Sequence, residues 1–167
     1  MYRPHQRLEK RAFLYSAAAI AAVLLLGLLA FWLIPAQEAD PLLAIDPNSK
    51  QGPLPGQTDD PTPVEEGAAR YRMNRAVWYP ASNKEGTVLF QSDSGNCHLL
   101  QISYEVKGET VYQSGLLEPG SHISKAKLTR KLPAGIYDGV CRIRLIEKDS
   151  LMPLGVLEEK ITVTVNA

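Results

Sequence analysis

The sequence predicts an all-β domain, an immunoglobulin-like antiparallel β-sandwich of about seven strands, that follows one N-terminal transmembrane helix. Three observations carry this prediction. Residues 12–34 contain no charged side chain, residues 35–70 are rich in proline and acidic residues, and residues 71–167 consist of short alternating segments between turn residues. The predicted organisation is therefore a short tail (1–11), a membrane helix, a stalk and a folded domain.

The stretch Ala12–Ile34 has twenty-three residues. As a helix it would be about 34 Å long, enough to cross a hydrocarbon core of about 30 Å. Four basic residues precede it, and the next basic residue is Lys50; the four are Arg3, Arg7, Lys10 and Arg11. Because positively charged flanks stay in the cytoplasm, we expect residues 1–11 inside the cell and the rest of the chain outside. A cleaved signal peptide is the alternative, although its apolar core should span only about 7–15 residues.

Small residues recur in this stretch at four-residue spacing, at Ala17, Ala18, Ala21 and Ala22. Such spacing lets transmembrane helices approach closely. We therefore expect Ala18 and Ala22 to contact another membrane helix, unless alanine serves here only as a common apolar residue.

Residues 35–70 hold seven of the twelve prolines, and seven acidic residues against two basic ones. Proline removes backbone N–H donors, and an excess of like charge is self-repelling, so the stretch is typical of a semi-extended linker. We expect it to form a stalk that holds the next domain away from the membrane. Only Val64–Met73 suits a short helix, because its first turn is acidic and its last turn is basic.

Short strands are predicted from residue 76 onward, because apolar residues alternate there with polar ones between turn residues. The predicted segments are 76–79, 87–91, 98–106, 110–113, 123–128, 137–146, 156–157 and 161–165. Lys107 and Gly108 predict a tight hairpin turn, and Glu118–Gly120 predicts a type II turn. Several short strands in about 95 residues favour two packed antiparallel sheets.

The segment Leu132–Tyr137 is typical of the corner that leads into the penultimate strand of an immunoglobulin-like sandwich, where the tyrosine hydroxyl bonds back to the turn. In antibody-type domains a cysteine follows that tyrosine after two residues. Here Cys141 follows after four, so the sequence departs from the antibody pattern.

The runs Val111–Gly120 and Leu132–Tyr137, with Ile123 between them, make the chain resemble small surface proteins of Gram-positive bacteria that have no assigned catalytic residues. The resemblance covers residues 75–167 and the layout of the chain. It implies one N-terminal membrane helix, a variable stalk and a C-terminal β-sandwich, and it implies no catalytic residue.

Cys97 and Cys141 both lie outside the cell in the predicted topology, where disulfides persist. A bridge between them would stabilise the fold by about 4 kcal/mol. However, Cys97 is out of phase with the apolar residues of its strand, which would point it away from the core. A disulfide and two separate thiols are therefore both open.

A formal net charge of +0 argues against nucleic-acid binding. Basic side chains nevertheless cluster at two places, Lys125, Lys127, Arg130 and Lys131 and then Arg142 and Arg144. If the two clusters meet, they form a patch for an anionic wall polymer, lipid headgroups or an acidic partner protein. The alternative is two ordinary solvated strand faces.

No cofactor or metal site is predicted, because His98 and His122 each lack a second ligand at metal-binding spacing. A catalytic set could be drawn only from Asp93, Ser94 and these histidines, without a nucleophile motif. The sequence thus predicts a non-enzymatic, single-pass protein of the cell membrane whose external domain binds a partner protein or a cell-wall polymer. A subunit of a secretion, conjugation or appendage machine is the close alternative, and an envelope hydrolase is a remote one.

Overall fold

Nine strands account for half of residues 41–166, the part of the chain that the computed structural model describes. They are β1 (Ser49–Gln51), β2 (Tyr71–Met73), β3 (Ala76–Tyr79), β4 (Glu85–Ser92), β5 (Leu99–Val106), β6 (Glu109–Gln113), β7 (Ser121–Lys127), β8 (Gly135–Ile146) and β9 (Pro153–Val165). A 3-10 turn at Pro41–Leu43 precedes them, and residues 41–166 contain no α-helix. None of the helical structure described there is long and apolar enough to cross a membrane. The predicted tail (1–11), the membrane helix (12–34) with Ala18 and Ala22, and stalk residues 35–40 lie outside the described residues.

The strands form one curled mixed sheet in the order β1-β7-β4-β3-β9-β8-β5-β6, with β2 paired to β4. The all-β prediction is therefore confirmed. The described strands number nine instead of about seven, because β1 and β2 form where no strand was predicted. One pair also differs from the antiparallel prediction, since β3 runs parallel to β9. The link between β3 and β4 is a single residue pair, Trp78 with Thr87.

The two ends of the curled sheet approach each other through the segment before β1. Ile45 pairs with Leu116, and Leu117 pairs with Leu100 of β5. The Leu116 N–H donates to the Ala44 carbonyl at 2.8 Å. This segment therefore covers backbone groups that would otherwise be exposed at a sheet edge.

The core lies inside the curl and follows the predicted alternation. The residues that face this core are Leu100, Ile102, Tyr104 and Val106 on β5 and Cys141, Ile143 and Leu145 on β8. Leu99 of β5 and Ile146 of β8 are also buried, in a second, smaller apolar cluster. Arg142 and Arg144 lie between the core residues of β8 in sequence and are exposed. Burial of each large apolar side chain stabilises the fold by about 1.5–3 kcal/mol, so this alternation determines which face of each strand turns inward.

The predicted turns are present. Lys107 and Gly108 have φ values of 52° and 80°, as the tight hairpin turn between β5 and β6 requires. Gly120 has a φ of 75°, which suits the third position of a type II turn. The Tyr137 hydroxyl donates to the Pro133 carbonyl at 2.8 Å, the hydrogen bond predicted for this corner.

Residues 52–70, here called the strap, lie along the sheet instead of extending away from it. Leu54 is buried, with 7% of its surface exposed. The Gly95 N–H donates to the Asp60 carbonyl at 3.1 Å, and the Gly95 carbonyl accepts from the Val64 N–H at 2.9 Å. The prediction of an extended stalk therefore does not hold for the described part of that region.

Side chains between Gln91 and His98 supply hydrogen-bond partners that the proline-rich strap cannot obtain from a sheet. Three strap N–H groups donate to them: Leu54 to Gln91 at 2.9 Å, Arg70 to Asn96 at 2.8 Å and Gly67 to His98 at 3.2 Å. These bonds come from distant parts of the sequence, which a local pattern does not reveal. The predicted short helix at Val64–Met73 is wrong, since these amides bind side chains and the segment ends in β2.

Candidate functional site

The two cysteines are separate free thiols. Cys97 is exposed, whereas Cys141 is buried on β8 opposite Tyr104 of β5. Leu99, two residues after Cys97, lies five β5 positions from Tyr104, which corresponds to about 16 Å along a strand. A disulfide needs Cα atoms within about 7 Å, so the structure corresponds to the two-thiol alternative. Burial raises the pKa of the Cys141 thiol to about 12, and the charge of Glu159 adds to the effect.

The predicted basic patch is not assembled. Lys125 and Lys127 lie on β7, and Arg142 and Arg144 lie on β8, with β4, β3 and β9 between these strands in the sheet. Arg142 is engaged by Glu105 at 2.9 Å and Glu158 at 3.0 Å, and Arg130 by Glu109 at 3.1 Å. Lys131 is exposed in the loop after β7. The two clusters are therefore distinct. Arg130 and Arg142 each form salt bridges with glutamates of the same domain.

The histidines and the residues near them hold the strap. His98 accepts the Gly67 N–H, and His122 Nδ1 lies 2.7 Å from the Gly52 carbonyl oxygen. Asp93 is fully buried and accepts from the Gln91 amide at 2.6 Å. The Ser94 N–H donates to Asp59 at 2.8 Å. Within residues 41–166 no group of three or more His, Cys, Asp or Glu side chains is arranged to hold a metal ion.

The N-terminal half of β9 is the most conspicuous open surface in the described part of the chain. Residues 153–161 pair with β8 on one side, whereas β3 pairs with β9 only over residues 162–165. Three apolar side chains are exposed along this half: Leu154 by 46%, Val156 by 51% and Leu157 by 37%. Met152, just before the strand, is 61% exposed. A long apolar edge of this kind is the form of strand to which another chain adds.

The register identifies the backbone groups that this edge presents. The Thr162 N–H donates to the Arg75 carbonyl on the β3 side at 2.8 Å. Alternate residues of a strand point their N–H groups the same way, and the register with β8 is unbroken from Val165 back to Gly155. The N–H groups of Val156, Glu158 and Lys160 therefore face the open edge, with Val156 and Leu157 on opposite faces of the strand.

A cleft of about 520 Å³ lies beside this edge and includes Lys160 in its lining. Its other charged lining residues are Arg75, just before β3, Glu105 and Lys107 on and after β5, and Asp138 on β8. Both signs of charge are represented. The cleft therefore extends the open edge with polar groups and has no strong preference for anions or cations.

The sequence did not single out this edge. Glu158, Glu159 and Lys160 interrupt the apolar pattern, so two short segments were predicted where the structure has one strand of thirteen residues. Val156 and Leu157 were assigned to a strand. Nothing in an apolar pair tells whether a second strand covers it, because that depends on how far β3 extends.

Comparison of the chain with models of known protein families, with curated proteins and with solved structures finds no match. The resemblance to Gram-positive surface proteins stays a prediction, and the function is argued from the site itself.

Proposed function

We propose that this chain is a non-enzymatic, membrane-anchored binding or scaffolding protein that presents its β domain, outside the cytoplasm, to a partner protein or a cell-wall polymer. The observation that carries the proposal is the open edge of β9, residues 153–161. A partner protein that supplies an extended segment fits this edge best.

Addition of a partner strand would use both the backbone groups and the apolar side chains of this edge. The backbone groups of Val156, Glu158 and Lys160 provide hydrogen bonds that are independent of the partner's sequence. Val156 and Leu157 provide apolar contacts on the two faces, which favour apolar side chains in the partner. Proteins normally protect such edges with charge, proline or a bulge. Pro153 and the charged residues 158–160 flank the apolar part but leave it open.

The membrane anchor in this proposal is residues 12–34, with residues 1–11 in the cytoplasm. Its support is the uncharged length of that segment and the four basic residues before it. The localisation that follows is the cell membrane, with the domain on its outer side.

We further propose that the curled sheet is an immunoglobulin-like sandwich, whose layers meet at the single pair of Trp78 with Thr87. On this view β1, β7, β4 and β2 form one layer, and β3, β9, β8, β5 and β6 form the other. The Tyr137 corner supports this arrangement. The open edge of β9 then lies beside β3 at a layer boundary.

The decisive experiment places a photocrosslinking amino acid at Val156 of the full-length protein in its native membrane. The matched control carries the same amino acid at Lys125, which is exposed on β7. We expect position 156 to capture a reproducible protein that position 125 does not. Equal capture at both positions, or none at 156, would contradict strand addition at β9.

A subunit of a larger envelope machine is the second candidate, because an open edge in a membrane-anchored chain also suits permanent assembly. This candidate adds contact between membrane helices through Ala18 and Ala22. Replacing both with leucine should disrupt co-purification of the assembly. Unchanged co-purification would favour a free-standing binding protein.

A further inference from the structure

The open edge of β9 is centred on Leu157. It spans residues 153–161, because β3 covers β9 only from Thr162 onward. Two copies of this edge that run antiparallel around a two-fold axis at Leu157 overlap along their whole open length. Each open edge then ends where β3 of the other copy begins. This position of the axis therefore covers both edges completely.

The backbone groups of the edge suit such an antiparallel pair. The N–H groups of Val156, Glu158 and Lys160 face the open side, and in an antiparallel ladder the C=O of each residue points the same way as its N–H. With the axis at Leu157, Val156 of each copy lies opposite Glu158 of the other. Both residues present their backbone groups to the open side, as a hydrogen-bonded antiparallel pair requires. Leu157 lies opposite its own counterpart, in the closer, non-hydrogen-bonded kind of pair.

On the inner face of the sheet this arrangement extends the core. Leu157 pairs with Ile143 of β8, which is fully buried, whereas Leu157 itself is 37% exposed. The second copy places its own Leu157 opposite, so an apolar row runs from Ile143 of one copy to Ile143 of the other. Cα atoms in a non-hydrogen-bonded pair are about 4.5 Å apart, which brings the two leucine side chains into contact. An identical side chain therefore covers the exposed part of Leu157.

On the outer face, charge favours the same register. Arg144 of β8 pairs with Val156, is exposed, and forms no salt bridge within residues 41–166. Glu158 of the second copy lies on the next strand beyond Val156, two strand spacings or about 10 Å from the Arg144 backbone. Both side chains are long enough to meet across the short valine, and the two-fold axis makes this contact twice. An axis at Glu158 would instead set two glutamates opposite each other, which is repulsive, and an axis at Val156 would leave Arg144 without a carboxylate in its row.

We propose that the partner at the β9 edge is a second copy of this chain, and that the two copies pair antiparallel along residues 153–161 with the two-fold axis at Leu157. This inference rests on the proposed function, because it names the protein that supplies the added strand. Two-fold pairing of identical surfaces is the commonest form of homo-oligomer. One strand pair is a small interface, so the pairing also relies on the proposed membrane anchor: two copies confined to one membrane meet at a high effective concentration.

The test is disulfide trapping of the full-length protein in its native membrane, with Leu157→Cys as the probe. Cys97→Ser removes the exposed native thiol, and the other native cysteine, Cys141, is buried. Two cysteines opposite each other at about 4.5 Å satisfy the Cα separation of a disulfide. Gly155→Cys in the same background is the matched control, because its Cβ position is open and its two copies are four residues out of step, about 14 Å apart. We expect mild oxidation to link the Leu157→Cys chains into a dimer and to leave the Gly155→Cys chains monomeric.

A charge reversal tests the outer face. In the Leu157→Cys chain, Arg144→Glu should lower the yield of the disulfide dimer about two- to thirtyfold, because two exposed ion pairs are lost. Lys125→Glu makes the same change of charge at an exposed position of β7 and should leave the yield unchanged. Equal effects of Arg144→Glu and Lys125→Glu would overturn this register.

The outcomes also separate this inference from the proposed function. Photocrosslinking from Val156 should give a product of twice the mass of the chain that contains only peptides of this chain. Capture of a different protein at Val156, without a disulfide dimer from Leu157→Cys, would overturn self-pairing and leave strand addition at β9 intact. Neither capture nor dimer would contradict both proposals. Equal dimer yields from Leu157→Cys and Gly155→Cys would overturn self-pairing, because random collision then explains them.

Discussion

Replacing Gly95 with alanine should detach part of the strap from the sheet. A Cβ atom at this position would lie 2.0 Å from the Thr62 carbonyl oxygen and 2.8 Å from its carbonyl carbon. Both atoms belong to the strap backbone, which cannot yield as a flexible side chain would. The strap must therefore move, and the hydrogen bonds that Gly95 makes to Asp60 and Val64 are the first to be lost.

The size of the effect follows from those two bonds. A hydrogen bond contributes about 0.5–1.5 kcal/mol net, so their loss costs about 1–3 kcal/mol. If the strap opens as a local unit, its opening equilibrium rises by about 5- to 150-fold. Gly155→Ala is the matched control, because no atom lies within 4 Å of its Cβ position. Both substitutions remove one glycine from the unfolded chain, so that contribution cancels.

Amide hydrogen exchange of the full-length protein measures the opening equilibrium of the strap directly. In the unchanged protein the N–H groups of Val64, Gly67 and Arg70 should be protected, because each donates a hydrogen bond. Gly95→Ala should accelerate their exchange by the factor above, and Gly155→Ala should not. Rapid exchange of these amides in the unchanged protein would contradict the packing of the strap along the sheet and would favour an extended stalk.

Three further predictions concern the thiols, the acidic residues of the strap and the β9 edge. Iodoacetamide should label Cys97 in the native protein and Cys141 only after unfolding, because burial raises the pKa of Cys141; mass spectrometry showing no labelling until a reductant is added would reveal a disulfide instead. The pKa values of Asp59 and Asp60 are lowered from 3.8, chiefly by hydrogen bonds from Ser94 to the first and from the backbone of Thr62 to the second. The two ionised carboxylates therefore stabilise the folded protein fully well above pH 3.8, and this stabilisation is lost as the pH falls through the lowered pKa values. The midpoint of thermal unfolding should drop below pH 3.8. In an Asp59→Asn variant this midpoint should depend less on pH. Val156→Pro should leave the midpoint of thermal unfolding within a few degrees, because proline removes only an N–H that faces the open edge. With the photocrosslinking amino acid at Met152, Val156→Pro should abolish crosslinking to the partner, whereas Val156→Thr should preserve it.

Local sequence patterns predicted the strands that cross the core. On β5 and β8 the alternation of apolar and polar residues determines the buried face, since a shift by one residue would expose every core side chain. The turn at Lys107 and Gly108 was equally predictable, because glycine readily adopts the positive φ that a tight hairpin turn needs. The β9 edge was not predictable, since it depends on which strands become neighbours.

The strap shows most clearly why a local reading fails. Its prolines exclude regular structure, and that part of the prediction holds for residues 52–70. What the sequence does not reveal is that Gln91, Asn96 and His98 take over the hydrogen bonds, from positions 26–37 residues away. A segment without regular structure can therefore be well bonded.

By itself, the sequence determined the all-β class, the inward faces of β5 and β8, and the tight turns, because all of these depend on residues close together in the chain. Only the tertiary structure decided that β3 lies parallel to β9, that the strap lies along the sheet, and that Cys97 and Cys141 stay apart. Each of these depends on strand order and register. Those are settled by the burial and hydrogen bonding of the whole domain, which no short segment specifies alone.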